Sequence, residues 1–419
     1  MIKSAYFKEI FAKNDRQDQV IDGIRALSVL SIIAFHVAVG IIQIYDKQKA
    51  KDYILDMPAA LQPIWHFEKG VDAFFLISAL VLGVPLFKKM GTFGWAETKA
   101  FYRKRFFRIY PLFLVSLVLY AIPQWSYFGE YFFSNLFLVN NLIPGHRTII
   151  PVGWSLLVEV QYYAALPLLL TLLSRTKYKT ELLITIVTAS FLICAAILVA
   201  HPALYLRPLT DIYLASDRDA FSQLYGEWLY QADLGRFGSF AIGLLLAFLK
   251  AKYDEQLRGL FGNKLAGALL FLTGAAFFIP SVTIPLYNPN SWYYQTFSPA
   301  LHFFTLSSIR QFFLLGLGCL ILGCWYSSIG PFLLLKKIFN FQIWLPLSRL
   351  SFPIYLFHFP MVAVAAIAVF GTTNVKEILS VSFLQGSAIF FLAAALSVLI
   401  SIPLYIYVER PFIERGKIS

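Results

Sequence analysis

The sequence predicts an all-α fold, a polytopic transmembrane helical bundle of about ten spans with its N- and C-termini both cytoplasmic. Three observations predict it. Of 419 residues, 58% are hydrophobic and only 14% charged, against about 25% charge in a soluble domain, so the chain lacks the polar surface to meet water all round. Its apolar residues gather into runs of about 20, the length that crosses a bilayer. Lys and Arg concentrate in alternate connections between those runs, as the positive-inside rule describes. The 41 Phe and 23 Tyr supply the aromatic weight expected where helices end in headgroup belts.

The elements run in order along the chain. Residues 1–23 form a polar, basic cytoplasmic segment carrying Lys3, Lys8, Lys13 and Arg16. The first apolar run, 24–44, is too long for a signal-peptide core and no small-residue cleavage site comes after it, so it reads as an uncleaved first span. Further spans are expected at 70–88, 106–126, 154–173, 181–200, 236–251, 262–281, 307–326, 348–370 and 384–408, with Arg25, Arg236, Arg310 and Arg349 at span boundaries. The sixth is the weakest, because only the stretch between Arg236 and Lys250 is free of charge. Residues 131–143 (YFFSNLFLVNNLI) are apolar but short and contain Asn, which suits a re-entrant or interfacial segment. Residues 409–419 form a cytoplasmic tail. The outer segment 201–235 collects Asp211, Asp217, Asp219, Glu227 and Asp233. Residues 1–419 show no internal repeat, linker or soluble module, and read as a single integral membrane domain.

The formal net charge of +12 suggests nucleic acid in a soluble protein. Here the cations lie in short segments beside apolar runs, where anionic membrane lipid explains them, and no basic stretch is long enough to track phosphates. Cys194, Cys319 and Cys324 fall inside apolar runs without metal-ligand spacing, so they read as packing residues and no metal is expected. The sequence has no P-loop, no G-x-G-x-x-G, no G-x-S-x-G and no H-E-x-x-H. Hydride transfer, ATP-driven transport and zinc hydrolysis lose their support accordingly.

An ionisable side chain inside a span is a functional candidate by default. Four stand out: His36, Asp72, Glu159 and His358. His66, His146, His201 and His302 fall in outer loops or at interfaces and read as solvated or belt histidines. Arg25 and His36 lie eleven residues apart, about three helical turns, so both face one way at a separation of about 16 Å. Arg25 is then either a positive-inside anchor or a grip for an anionic group whose far end reaches His36. Similar depths permit a pair between Glu159 and His36, the carboxylate orienting the imidazole. Asp72 either serves the same cavity or sits at the surface. The inner loop 88–108 (KKMGTFGWAETKAFYRKRFFR) brings Arg103, Arg105 and Arg108 within six positions. Guanidinium clusters bind phosphate bidentately, which makes this a candidate nucleotide-phosphate site.

The residues resemble the acyltransferase family 3 membrane proteins over essentially the whole chain. DGIRALSVLSIIAFH holds the family's Arg–ten residues–His signature in Arg25 and His36, and GVDAFFLISALVLG is similar to its second segment, with Asp72 and Ser78. FYRKRFFRIYPLF matches the basic lead into the third helix with Arg105, Arg108 and Pro111. GWSLLVEVQYYAALPLL supplies Trp154, Ser155, Glu159 and either Tyr162 or Tyr163, and LSFPIYLFHFP supplies Tyr355 and His358. Ala79 stands where the family usually has Gly, a change expected to tighten helix packing. The hydrolase-like extracellular domain that some members carry at the C-terminus is not expected here.

The resemblance implies a bacterial inner-membrane O-acyltransferase of surface or exported carbohydrate. Its donor would be acyl-CoA, usually acetyl-CoA, bound on the cytoplasmic side by Arg25, Arg103, Arg105 and Arg108. His36 would act as general base or as transient acyl carrier and Glu159 would orient it. Asp72, Ser78, Trp154, Tyr163, Tyr355 and His358 would support them. A glycan or lipid-linked carbohydrate acceptor would come from the outer face, where Trp228, Trp292, Tyr293 and Tyr294 either stack on sugars or form an interfacial belt. The alternatives are a transporter or flippase of lipid-linked glycans, and transfer from another CoA ester such as succinyl-CoA.

Overall fold

Among the described residues of the computed structural model, ten helices of membrane length succeed one another in the predicted order: α1 Gln19–Ile44, α2 Gly70–Lys88, α3 Trp95–Ala121, α4 Gly153–Arg175, α5 Lys179–Ala200, α6 Asp233–Gly262, α7 Lys264–Thr283, α8 Pro299–Tyr326, α9 Ser351–Phe370 and α10 Phe383–Leu404. The structure describes residues 2–13, 18–89, 94–143, 146–215, 233–374, 377, 378 and 380–417. Arg16, Asp217, Asp219, Glu227 and Trp228 lie outside them, as does the side chain of Asp233. Nine of the described helices are long and apolar enough to cross a membrane. The tenth, α6, is 30 residues long and carries charge along its second half, with a kink at Tyr253. This is a polytopic helical bundle.

Helix boundaries differ from the expected spans where a polar cap or an amphipathic turn extends them. α1 begins at Gln19 because Asp18 caps it, its Oδ1 accepting from the Val20 N–H at 3.0 Å. Such a side-chain acceptor satisfies a donor that the first turn leaves open. Asp18 Oδ2 also accepts from the Trp325 indole N–H at 2.5 Å, so the start of α1 is tied to the end of α8. α3 begins at Trp95, where the Gly94 N–H donates to Glu97 Oε2 at 2.8 Å. The basic stretch expected as an inner loop is therefore helical from Trp95 onward. Its side chains thereby acquire fixed faces.

The segment 131–143 is not a span but a set of short helical turns. Asn135 pins it, donating to the Tyr131 and Arg147 carbonyls and accepting from the Ile149 N–H. Buried Asn here does what water would do in a loop, satisfying backbone groups that lie away from solvent.

Small residues set the closest seam of the bundle. Ala79 and Gly83 of α2 face Gly243 and Ala247 of α6: a Cβ on Gly243 would stand 2.3 Å from the Leu76 carbonyl oxygen and 2.8 Å from Ala79 Cβ, and one on Gly83 would stand 2.6 Å from Ala247 Cβ. Within lipid, where apolar burial drives little association, such close backbone approach is a main source of helix–helix attraction. Phe75 stacks on Phe240 at 4.6 Å beside the seam. Ala79 thus occupies a place where a neighbouring glycine makes room for its methyl group. Around this seam α1, α3, α4, α8 and α9 contribute further core residues, while another face of α1 joins α9 and α10 in a second cluster through Ile33, Val37, Ile354 and Ile389.

Candidate active site

Helices α1, α2, α3, α4 and α9 enclose a cavity of about 150 Å³ lined by Arg25, Ser78, Arg105, Arg108, Ser155, Glu159, Tyr163 and Tyr355 among others. Helical spacing explains the lining. Positions 155, 159 and 163 recur every fourth residue and so share a face of α4, as 105, 108 and 109 share a face of α3. Arg103 is two residues from Arg105, a rotation of about 200°. It points out of the site, exposed, and donates to the Arg415 carbonyl at 3.2 Å. The expectation that Arg103 joins the other arginines is corrected by that rotation.

Glu159 is the acceptor of a compact hydroxyl cluster. Its Oε1 accepts from Ser78 Oγ at 2.9 Å and from Tyr163 Oη at 2.5 Å, and the two hydroxyls stand 2.6 Å apart. The Arg105 guanidinium lies 5.8 Å from the Tyr163 ring centre, and its buried Nε has no hydrogen-bond partner among the described residues. Of the two adjacent tyrosines, Tyr163 belongs to the cavity. Tyr162 turns away and stacks on Phe240 at 3.9 Å. Ser155 and Tyr355 join α4 to α9 through hydroxyls 2.6 Å apart.

His36 does not pair with Glu159. Its helix face turns toward α9, where His358 Nε2 stands 3.1 Å from His36 Nδ1. Glu159 shares the cavity with Arg25, about three helical turns before His36 on α1, so it lies at the level of Arg25 and not of His36. Each imidazole has its tautomer fixed by a carbonyl, which can only accept. His36 Nδ1–H donates to Ile32 O at 2.9 Å, and His358 Nδ1–H donates to Tyr355 O at 2.7 Å. His358 Nε2 is then an acceptor facing the Nδ1–H of His36, and His36 Nε2 keeps its lone pair. Neither histidine lines the cavity; Tyr355, one turn before His358, does.

Asp72 takes neither of its two expected places. It is fully buried, away from the cavity, with Oδ1 accepting from Arg236 at 2.6 Å and Ser239 at 3.1 Å and Oδ2 accepting from Arg310 at 2.8 Å. Trp154 belongs with this group, its ring 5.1 Å from the Arg236 guanidinium. The same network continues through Glu68, 3.8 Å from Arg310 and 3.4 Å from Lys69. Lys69 Nζ donates to His66 Nδ1 at 2.8 Å, and His66 Nε2–H donates to Ile284 O at 2.6 Å. His66 and His302 are buried, so they are not the solvated or belt histidines expected. Arg236 and Arg310 are partners of Asp72 and not merely boundary charges. A lone carboxylate in one span and arginines at the ends of two others is the sequence signal that joins them.

Among the outer aromatics Trp292, Tyr293 and Tyr294, only Trp292 is well exposed. Tyr293 is buried beside His302 at 4.7 Å, and Tyr294 Oη donates to Leu286 O at 3.1 Å. Stacking on a sugar is thus open to Trp292 and closed to Tyr293.

Comparison with known proteins gives one consistent match. A family described as an acyltransferase domain matches residues 18–406. The chain is 22% identical to nose resistant to fluoxetine protein 6 of Caenorhabditis elegans over 381 residues, 83% of this chain and 45% of that protein. It is also 22% identical over 426 residues to proteins provisionally named as O-acetyltransferases in Staphylococcus aureus strains COL and MSSA476, covering 94% of this chain and 57% of each. The chain thus spans about half the length of these relatives. No solved structure matches it.

Proposed function

The chain belongs to the acyltransferase domain family, and from that premise we propose that it moves an acyl group, acetyl in the first instance, from cytoplasmic acyl-CoA to a carbohydrate hydroxyl. One observation supports this reading: a cavity with three arginines is lined by Tyr355, whose carbonyl holds His358, and His358 in turn meets a histidine of fixed tautomer, His36. The names of the Staphylococcus aureus relatives favour acetyl and an oxygen acceptor.

Arg25, Arg105 and Arg108 suit an anionic carrier, and the unpartnered Arg105 Nε is a donor awaiting one. At about 150 Å³ the cavity is smaller than the roughly 300–1,000 Å³ of pockets that enclose a drug-sized ligand. It would hold the phosphorylated part of the donor and leave the nucleoside outside. The thioester would then extend along the α1–α9 seam toward His36. There His36 Nε2 takes the proton of the acceptor hydroxyl as its oxygen attacks the acyl carbon; the C–S bond breaks and the CoA thiolate leaves. In a two-step variant, Nε2 attacks first and carries the acyl group to an acceptor on the other face. His358 orients the imidazole, the role that the sequence pattern suggests for Glu159. Glu159, with Ser78 and Tyr163, becomes the polar wall that holds Arg105 in place.

Purified protein in nanodiscs, supplied with acetyl-CoA and a glycan acceptor, tests the proposal. Acetylated glycan and an equal amount of free CoA are expected, and neither from His36→Ala protein of unchanged fold. Glycan movement without CoA release would replace the enzyme with a transporter, and turnover of succinyl-CoA in preference to acetyl-CoA would change the donor.

A further inference from the structure

The last helix ends in a feature that runs past the end of the family match. That match stops at residue 406, whereas a π-helical turn, Tyr405–Glu409, succeeds α10 just after Pro403 and leads into a short terminal helix, Arg410–Lys417. A π-turn inserts one extra residue into a helix and swings the next turn to a new face; such turns gather at functional sites. Here the swing brings the Glu409 carboxylate inward. Glu409 is buried, its side chain fully so, and its Oε1 stands 2.6 Å from Nη1 of Arg108, a cavity-lining arginine that is still one-third exposed.

The backbone that carries Glu409 is held from several sides. Phe412 stacks on Phe107 at 6.2 Å, and Gly416 packs so closely on α3 that a Cβ there would stand 3.0 Å from Phe107 Cβ. Arg410 Nε donates to Glu9 Oε2 at 2.6 Å, and Tyr6 Oη donates to Glu414. The N-terminal helix Ile2–Phe11 thus braces the C-terminal helix, which in turn packs on the basic stretch of α3.

We infer that Glu409 is a positioning residue for the donor's anionic end: it holds Arg108 against the cavity, so that this guanidinium meets a phosphate without first being ordered. The inference rests on the proposed function, in which the arginine cavity takes the donor phosphates. A guanidinium has five N–H donors, of which Nη1 bears two, so a contact made through Nη1 does not use the three on Nε and Nη2. A carboxylate that competed with phosphate would have to move aside. Glu409 is anchored in a turn held by the helices on either side of it, and its role is therefore to fix Arg108 and not to exchange with the ligand.

The test is steady-state kinetics of full-length protein in nanodiscs with acetyl-CoA, comparing Glu409→Gln, Glu409→Asp and Arg108→Ala with the parent. Glu409→Gln is expected to raise the KM for acetyl-CoA by about three- to tenfold, the cost of ordering one long side chain on binding, with kcat within about twofold. Glu409→Asp, which keeps the charge, is expected to recover most of that loss and carries the test if the Gln variant fails to fold. Loss of kcat without a change in KM would reduce Glu409 to a structural residue, and a fall in KM would make it a competitor; either overturns the inference alone. An unchanged KM in Arg108→Ala would overturn the cavity reading and this inference with it.

Discussion

His358 Nε2 and His36 Nδ1 face each other at 3.1 Å across the seam between α9 and α1. The Ile32 carbonyl fixes which nitrogen of His36 remains basic, and His358, as a second acceptor for the same N–H, holds the ring's orientation. His36→Ala should then cost acyl transfer on the order of 10²–10⁴-fold, the usual contribution of a positioned base. His358→Ala should cost less, about 10- to 100-fold, the size of a coupling between contacting groups. His358→Gln keeps an acceptor oxygen and should recover part of the loss. CoA release by each variant, measured beside its unfolding temperature, checks the ranking; equal activity in His358→Ala and the parent would leave His36 without an orienter.

Much of this is legible in the sequence and some is not. The spans are readable because twenty apolar residues and a charge bias are local signals. Arg25, Arg105 and Arg108 line one cavity, as the basic sequence pattern suggests, and Ser78 and Glu159 join them there although the sequence suggests Glu159 for His36. The partner of His36 is not readable, because depth counted from an assumed span end sets Glu159 level with His36, whereas Glu159 shares a cavity with Arg25, about three turns away. Arg103 departs from expectation because it lies two positions from Arg105, a rotation of about 200° that turns it to the Arg415 carbonyl. Asp72 departs because its neutralising charges lie 164 and 238 residues away, on helices whose ends read as membrane boundaries.

The three cavity arginines should separate from Arg103 in donor binding. Arg25→Ala and Arg105→Ala each remove a charged hydrogen-bond donor, worth about 1.5–3 kcal/mol, and should raise the KM for acetyl-CoA by roughly 10- to 100-fold. Arg103→Ala, whose partner is an exposed backbone carbonyl, should stay within about twofold of the parent, as surface substitutions usually do. Donor titration of all three variants is the measurement, and an Arg103 effect as large as the others would relocate the phosphate site.

Asp72 should matter to stability before it matters to chemistry. Removing one partner of a buried ion pair leaves its counter-charge uncompensated, at about 3–5 kcal/mol. Asp72→Asn removes a carboxylate that Arg236 and Arg310 share, while Arg310 keeps Glu68 at 3.8 Å. The expected outcome is a large fall in unfolding temperature in detergent, with kcat per folded molecule changed much less than by His36→Ala. A stable, inactive Asp72→Asn protein would instead put Asp72 in the reaction.

Gly243 offers a test of how far the site depends on helix packing alone. It lies on α6, away from the cavity lining, and faces α2 so closely that a methyl group would stand 2.3 Å from the Leu76 carbonyl oxygen. That oxygen belongs to helix backbone and cannot swing away, so α2 and α6 must part. Overpacking of this kind costs about 1–3 kcal/mol or more. Ser78 is two residues from Leu76, so the displacement should also loosen its 2.9 Å hydrogen bond to Glu159. Gly243→Ala is therefore expected to lower both the unfolding temperature and the affinity for acetyl-CoA. Gly259→Ala, on the same helix but with nothing within 4 Å of the added carbon, should be neutral or stabilising by about 1 kcal/mol through helix propensity. Thermal unfolding and donor titration of the pair separate the two effects: if Gly243→Ala destabilises the bundle yet binds acetyl-CoA unchanged, the α2–α6 seam supports the fold without shaping the site.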